Sequence, residues 1–202
     1  MTRKGYVIMK KSFALALICC AAAVFAADVP GSAVPDTNIL KSGNFEGVQR
    51  GRFFGEFDEK NRAKGGWLTD NKYVTAPTNW VSLDKAVHQT AGQSLRIENP
   101  QGLDISAVQF FKLRKNTAYK LSFAIKTDVQ KSSGSAFVML NFDKNRSFPA
   151  KRINQTQDWE SYTVEFKTPE DFNENRACYL RLYNYKLTGT VWFDCVKIEE
   201  KK

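Results

Sequence analysis

Residues 119–126 read YKLSFAIK, and their strict alternation decides the fold. Tyr119, Leu121, Phe123 and Ile125 fall on one side, while Lys120, Ser122, Ala124 and Lys126 fall on the other. A period of two is the signature of a β-strand with one face in a core. The same period recurs on both sides of this stretch: WVSL (80–83), SLRIE (94–98), ISAVQFFK (105–112), SAFVMLNF (135–142), WESYTVEFKT (159–168), ACYLRLYNY (177–185) and TVWFDCVKIE (190–199). None of these runs carries the 3.6-residue period of an amphipathic helix. Turn residues separate them at Ala91-Gly92-Gln93, Arg114-Lys115-Asn116, Ser132-Ser133-Gly134 and Thr188-Gly189. The pattern predicts an all-β fold, a two-sheet antiparallel β-sandwich of the jelly-roll kind, with each strand facing the core on alternate residues.

Upstream of the strands the chain changes character. Residues 1–27 carry a basic front (Arg3, Lys4, Lys10, Lys11), an apolar run from Phe13 to Ala27 and small residues at its end, the layout of a secretory signal peptide. The run is shorter than the roughly 20 residues that span a bilayer, so no transmembrane segment is expected in the mature chain. A second start at Met9 would give the compact MKKSFALAL, and Cys20 offers a competing lipoprotein anchor. The signal looks bacterial, which predicts a secreted or periplasmic protein. Residues 28–37 (DVPGSAVPDT) contain two prolines and no periodicity, a flexible leader, and residues 38–200 form the single folded domain.

Removing residues 1–27 takes away four basic residues and no acidic one, so the formal charge falls from +9 to +5. That mild excess suits an acidic polymer or surface. It lacks the dense Lys/Arg stripe of nucleic-acid binding, so no nucleic-acid partner is expected. One stretch breaks the strand rhythm: GVQRGRFFGEFDEKNRAKGGW (47–67), with Phe53, Phe54 and Phe57 among mixed charges. A loop of that length is either a binding loop or a disordered one.

Cys178 and Cys195 remain after the signal is removed. An even count in an oxidising compartment predicts a disulfide between them; the alternative is two small core residues. The neighbouring Asp194 poses a sharper question. An unpaired carboxylate in a strand built for burial costs several kcal/mol or more. It needs either a bound cation or a set of hydrogen-bond donors at a bulge.

The strand order brings four local patterns into line: Asn38-Ile39-Leu40 with Gly43-Asn44-Phe45-Glu46; Gly92-Gln93-Ser94-Leu95-Arg96-Ile97; Leu113 with Tyr119-Lys120-Leu121-Ser122-Phe123 and Lys126; and Trp159, Tyr162-Thr163 and Phe166 with Gly189-Thr190-Val191-Trp192-Phe193-Asp194-Cys195-Val196. Over residues 38–199 the chain resembles the jelly-roll carbohydrate-binding modules of families four, nine and twenty-two, a galactose-binding-like β-sandwich. The resemblance implies a structural calcium near the first and last strands, with Glu46 and Asp194 as side-chain ligands. The chain departs from the pattern at Cys195, where a second polar residue often follows.

Sugars are held by aromatic faces against their C–H side and by amide, guanidinium and carboxylate groups on their hydroxyls. If Leu180 and Leu182 are buried, Tyr179, Arg181 and Tyr183 point outward on one line, and Asn141 turns outward beside them with Phe137 and Met139. Gln109 and Lys126 extend that platform. Trp67, Tyr73 and Trp80, near Gly65-Gly66 and Asn79, are candidates for stacking at the rim, whereas Trp159 and Trp192 are expected in the core. His88 is the lone histidine and cannot build a catalytic triad, and no carboxylate pair faces a cleft as glycoside hydrolysis requires. The chain therefore reads as an exported, non-catalytic module that binds a polysaccharide or cell-surface glycan, served by a separate glycan-degrading enzyme. The competing readings are a structural or adhesion sandwich of the cell envelope and a jelly-roll lyase on an acidic polysaccharide.

Overall fold

The alternation at 119–126 is realised in a computed structural model of the chain, where Tyr119, Leu121, Phe123 and Ile125 are all buried and Lys120 is exposed. The structure describes residues 38–40, 43–45, 55–56, 66–70, 80–90, 92–143 and 146–201. The expected signal and leader, Glu46, Tyr73 and most of the 47–67 loop lie outside the described residues.

Nine strands form among the described residues: β1 (Gly55–Glu56), β2 (Leu68–Asp70), β3 (Val81–Asp84), β4 (Ser94–Asn99), β5 (Asp104–Phe111), β6 (Ala118–Asp143), β7 (Arg146–Ile153), β8 (Gln157–Lys167) and β9 (Cys178–Glu200). No helix of the described residues is long and apolar enough to cross a membrane. Strands β6 and β9 pair antiparallel along nearly their whole lengths, from Tyr119 opposite Glu200 to Asn141 opposite Tyr179. Each bends midway and so belongs to two layers. In the first layer, residues 178–185 of β9 lie between β5 and residues 135–143 of β6, with β2 and β1 continuing one side and β7 the other. In the second, residues 189–200 of β9 lie between β4 and residues 118–129 of β6, flanked by β3 and β8. Neighbouring strands are antiparallel except β1 and β2, which are parallel.

The stretches 132–134 and 188–189 are thus corners, not chain reversals. Their glycines are there because the backbones touch. A Cβ on Gly134 would lie 1.9 Å from the carbonyl oxygen of Tyr185, and one on Gly189 would lie 2.1 Å from that of Asp128. Gly189 also has φ +137°, which L side chains rarely adopt. Register shifts between Val129 and Lys131 and between Ser132 and Ser135 take up the extra residues of the outer path.

The inward side chains of both layers meet in one core. The first layer contributes Ile105, Ala107, Phe111, Ala136, Val138, Leu140, Phe142, Cys178, Leu180 and Leu182; the second contributes Leu95, Ile97, Tyr119, Leu121, Phe123, Ile125, Val191, Phe193, Val196 and Ile198. In β9 the inward positions change phase from Val191 and Phe193 to Val196 and Ile198. The cause is a bulge: Ala124 faces Asp194 but Ser122 faces Lys197, and Cys195 takes a left-handed φ of 53°.

The first sequence pattern closes this end of the sandwich. Asn38 accepts from the Ile198 amide at 3.0 Å and donates from Nδ2 to the Val196 carbonyl at 3.2 Å. The Val196 amide in turn donates to the Gly43 carbonyl at 2.8 Å. Gly43 has no room for a side chain, since its Cβ would fall 1.8 Å from the Val196 carbonyl oxygen. Buried Phe45 follows, its ring 5.5 Å from that of Trp67 and its carbonyl oxygen 2.6 Å from Gln93 Nε2. Trp67 is completely buried, so it is a core residue and not a rim platform. Trp80 is half-buried and packs against the same core.

Candidate functional site

The two layers present very different outer faces. Strand pairing orders the outward residues of the first layer into rows. Phe110, Tyr179 and Asn141 form one; Val108, Arg181 and Met139 the next; then Ser106, Tyr183 and Phe137; then Asp104, Tyr185 and Ser135. Four of the residues expected on a ligand platform, Tyr179, Arg181, Tyr183 and Asn141, do come together here. Two others do not. Gln109 is opposite Leu180, on the core side of β5, and is 1% exposed. Lys126 belongs to the second layer, opposite Trp192.

Within the first-layer face the rings and cations are interleaved. The Tyr183 and Phe137 rings are stacked, with centroids 4.9 Å apart and planes 24° from parallel. The Arg181 guanidinium lies 5.0 Å from the Tyr179 ring and 5.8 Å from the Tyr183 ring, and its Nη1 donates to Tyr183 Oη at 2.7 Å. Arg152, at the β7 edge, sits 4.4 Å from the centre of the Phe137 ring and donates to Ser135 Oγ at 3.1 Å. Lys186 lies 5.3 Å from the Tyr185 ring. Each such contact is worth about 0.5–2 kcal/mol, more as water is excluded, so together they hold the face in one arrangement. Its middle is closed: Phe137 and Tyr183 are only 3% and 8% exposed. Tyr183 therefore braces Arg181 and is no exposed stacking platform. Tyr179, Tyr185, Arg181, Met139 and Asn141 keep partial exposure, and Arg152 is exposed.

Sequence reasoning missed Tyr185, Phe110 and Arg152. The first two were within reach, because Tyr185 continues the odd-numbered line 179, 181, 183 and Phe110 alternates with inward Phe111. Arg152 was hidden, since the phase of β7 is broken by Lys151 at φ 39°.

The second layer's outer face is that of a solvated sheet. Four of its cations are paired with carboxylates: Arg96 with Glu98 at 3.0 Å, Lys126 with Asp158 at 2.6 Å, Lys197 with Glu199 at 2.7 Å and Lys201 with Glu165 at 2.8 Å. Trp192 stands on it half-exposed, so it is not core, and its Nε1 donates to Asp84 Oδ2 at 2.9 Å. Asp84 also accepts the amides of Ala86 and Val87. Burial works to raise the Asp84 pKa, but the Trp192 and backbone hydrogen bonds and nearby Arg96 outweigh it, and the carboxyl stays below its usual range. Trp159 is likewise half-exposed and outside the core.

Asp194 is fully buried, and its compensation is visible. Its Oδ2 accepts the amides of Gln89 and Thr90 at 2.9 and 3.0 Å and the Thr90 hydroxyl at 3.3 Å, while Oδ1 accepts the Cys195 amide at 2.6 Å. Hydrogen bonds to a charged acceptor are worth about 1.5–3 kcal/mol each, enough to offset the burial. The oxygen that a cation would share is ringed by donor protons, the reverse of a calcium shell, which is built from oxygen lone pairs. Among the described residues no group of three or more His, Cys, Asp or Glu could hold a metal. Asp194 thus fits a hydrogen-bond site at a bulge and does not fit the metal; Glu46 is outside the described residues.

The expected disulfide between Cys178 and Cys195 is not formed. Cys178 points into the core from the first layer, opposite Phe111. Cys195 lies beyond the corner at the bulge, with Sγ 3.8 Å from Thr90 Oγ1. Burial and then the Asp194 charge push its thiol pKa up, so it is not an activated nucleophile.

Comparison with known proteins bears on the family and the fold. The family model CBM_4_9_1, described as BppA domain 1, matches residues 54–198. The tRNA nuclease WapA of Bacillus subtilis (strain 168) is 30% identical over 177 residues, a match covering 81% of this chain and 7% of WapA. The chain thus spans a small fraction of the curated relatives it matches. Among solved structures, a family 16 carbohydrate-binding module superposes with a TM-score of 0.56 at 18% identity, covering 80% of this chain and 99% of that one. A Stig cyclase, Fisc, from Fischerella sp. TAU superposes with a TM-score of 0.57 at 16% identity, covering 81% and 96%. At such identities these structures speak for the shared sandwich alone.

Proposed function

Because the chain belongs to the CBM_4_9_1 family of carbohydrate-binding modules, we propose that it is an exported, non-catalytic glycan-binding protein. Its ligand is a polysaccharide or cell-surface glycan laid across the outer face of the first layer. The observation that carries this reading is the contrast between the two outer faces. One is a solvated sheet carrying four ion pairs, and the other sets partly exposed Tyr179 and Tyr185 on one face with Arg181, Asn141 and Arg152. Flat rings meet the C–H side of a sugar, and the guanidinium and amide groups meet its hydroxyls. The arrangement supports binding over catalysis. The Tyr183 hydroxyl beside Arg181 is buried and already accepts the Arg181 hydrogen bond, which does not suit a general base. The basic-then-apolar segment at residues 1–27 supports export.

The test is affinity electrophoresis of the protein lacking residues 1–27 through gels holding a panel of soluble polysaccharides. Retardation by at least one polymer is the expected result. Unchanged mobility across the panel would remove the reading in favour of a structural or adhesion role.

A further inference from the structure

Among the described residues the two layers end on four edge strands, and three of these are poor templates for a further strand. β1 has two residues, β3 has four, and β7 carries Pro149. β8 is the exception: its eleven residues, QDWESYTVEFK, include neither proline nor glycine, and among the described residues it pairs with β6 alone. The Thr168 amide donates to the Thr117 carbonyl at 3.0 Å, and the register with β6 is unbroken from Lys167 to Glu160. In an antiparallel ladder the bonded residues alternate, so the even-numbered residues here bond to β6, while Ser161 and Thr163 turn their N–H and C=O groups to the open edge. Both residues are exposed, and partly exposed Trp159 and Tyr162 lie along the same edge.

We propose that this edge joins a second copy of the chain, β8 against β8, antiparallel about a two-fold axis. The choice of occupant follows from the strand's own charge pattern. Opposed residues must face the same side of the sheet, so odd numbers pair with odd and even with even. In the registers centred on Tyr162, Thr163 and Val164, Tyr162 meets the partner's Tyr162, the partner's Val164 and the partner's Phe166 respectively, and in none of the three do two like charges stand opposite. The pair closes, because the edges left over among the described residues are β1, β3 and β7. Its axis is perpendicular to the continued sheet, so the outer first-layer faces of both copies look the same way. The consequence, which rests on the glycan-binding reading, is a bivalent protein that holds one polymer with two faces.

Sedimentation velocity over a concentration series, on the protein without residues 1–27, tests the pairing. The expected mass at the higher concentrations is that of a dimer. Thr163→Pro removes an N–H at the open edge but no bond to β6, and should sediment as a monomer; Thr163→Val keeps the N–H and should dimerise like the parent. Should Thr163→Pro not fold, the parent alone decides: its Thr163 amide should exchange hydrogen more slowly as concentration rises. A monomer at every concentration, a Thr163→Pro dimer, or a Thr163 amide indifferent to concentration would overturn the proposal. In gels that retard the parent, Thr163→Pro should be held at least about tenfold less tightly. Equal retardation of the two would strike the bivalent grip alone. Absence of retardation by every polymer would strike the glycan reading, while sedimentation still decides the dimer.

Discussion

Arg181 donates from Nη1 to the hydroxyl oxygen of Tyr183 at 2.7 Å, two residues along the same strand and on the same side of it. The pair is local in sequence, yet it orients the whole middle of the first-layer face, because Tyr183 is stacked in turn on Phe137. Arg181→Lys keeps the charge but loses the planar fork and the contact with two rings. We expect it to weaken glycan binding about tenfold while changing stability by about 1 kcal/mol or less. Titration calorimetry and denaturant unfolding check the two halves. Unaltered affinity would show that Arg181 only pads the face.

Asp194 is predicted to act as a clasp for the 89–90 turn. Asp194→Ala leaves two loop amides without their acceptor, which costs about 3 kcal/mol, or roughly 6–12 °C in Tm for a domain of this size. Chelator should leave the melting temperature of the parent unchanged. A melt lowered by chelator and restored by calcium would contradict the donor-ringed carboxylate and reinstate the metal.

The corner at Gly189 is the weak point of the architecture. Gly189→Ala combines an unfavourable backbone conformation with a Cβ 2.1 Å from the Asp128 carbonyl oxygen, so both long strands must separate to admit it. The expected loss exceeds about 2 kcal/mol in denaturant unfolding. A change within about 0.5 kcal/mol would mean that the two layers are not one continuous pair of strands.

How much of this was legible in the sequence follows from what local chemistry can encode. Alternation gave each long strand, because burial on one face imposes it. The corners read as turns, since Ser-Ser-Gly and Thr-Gly suit a chain reversal and a sharp bend equally well; only the partner strand decides. β7 was unread because Pro149 interrupts it, which an edge strand tolerates on its unpaired side. Gln109 was misplaced by polarity, although its parity with Ile105, Ala107 and Phe111 already put it inward. Trp67 followed two glycines and read as loop rim, but Phe45, distant in sequence, covers it.

The two thiols give a chemical check. Alkylation of the unfolded protein lacking residues 1–27, without reductant, should label both Cys178 and Cys195. In the folded protein Cys195 should react slowly at neutral pH, with the rate rising only above the ordinary thiol range, because burial and the Asp194 charge hold it protonated. A protein that takes up no label until reduced would restore the disulfide.

The measurement that bears most directly on the account sets Tyr179→Ala, on the outer face of the first layer, against Trp192→Ala, on that of the second, in affinity electrophoresis with a polysaccharide that retards the parent protein. Retardation should be lost, or reduced about tenfold, in Tyr179→Ala, the order expected for one stacked ring, and kept in Trp192→Ala. Retardation kept in Tyr179→Ala but lost in Trp192→Ala would move the binding surface to the other layer and contradict the account.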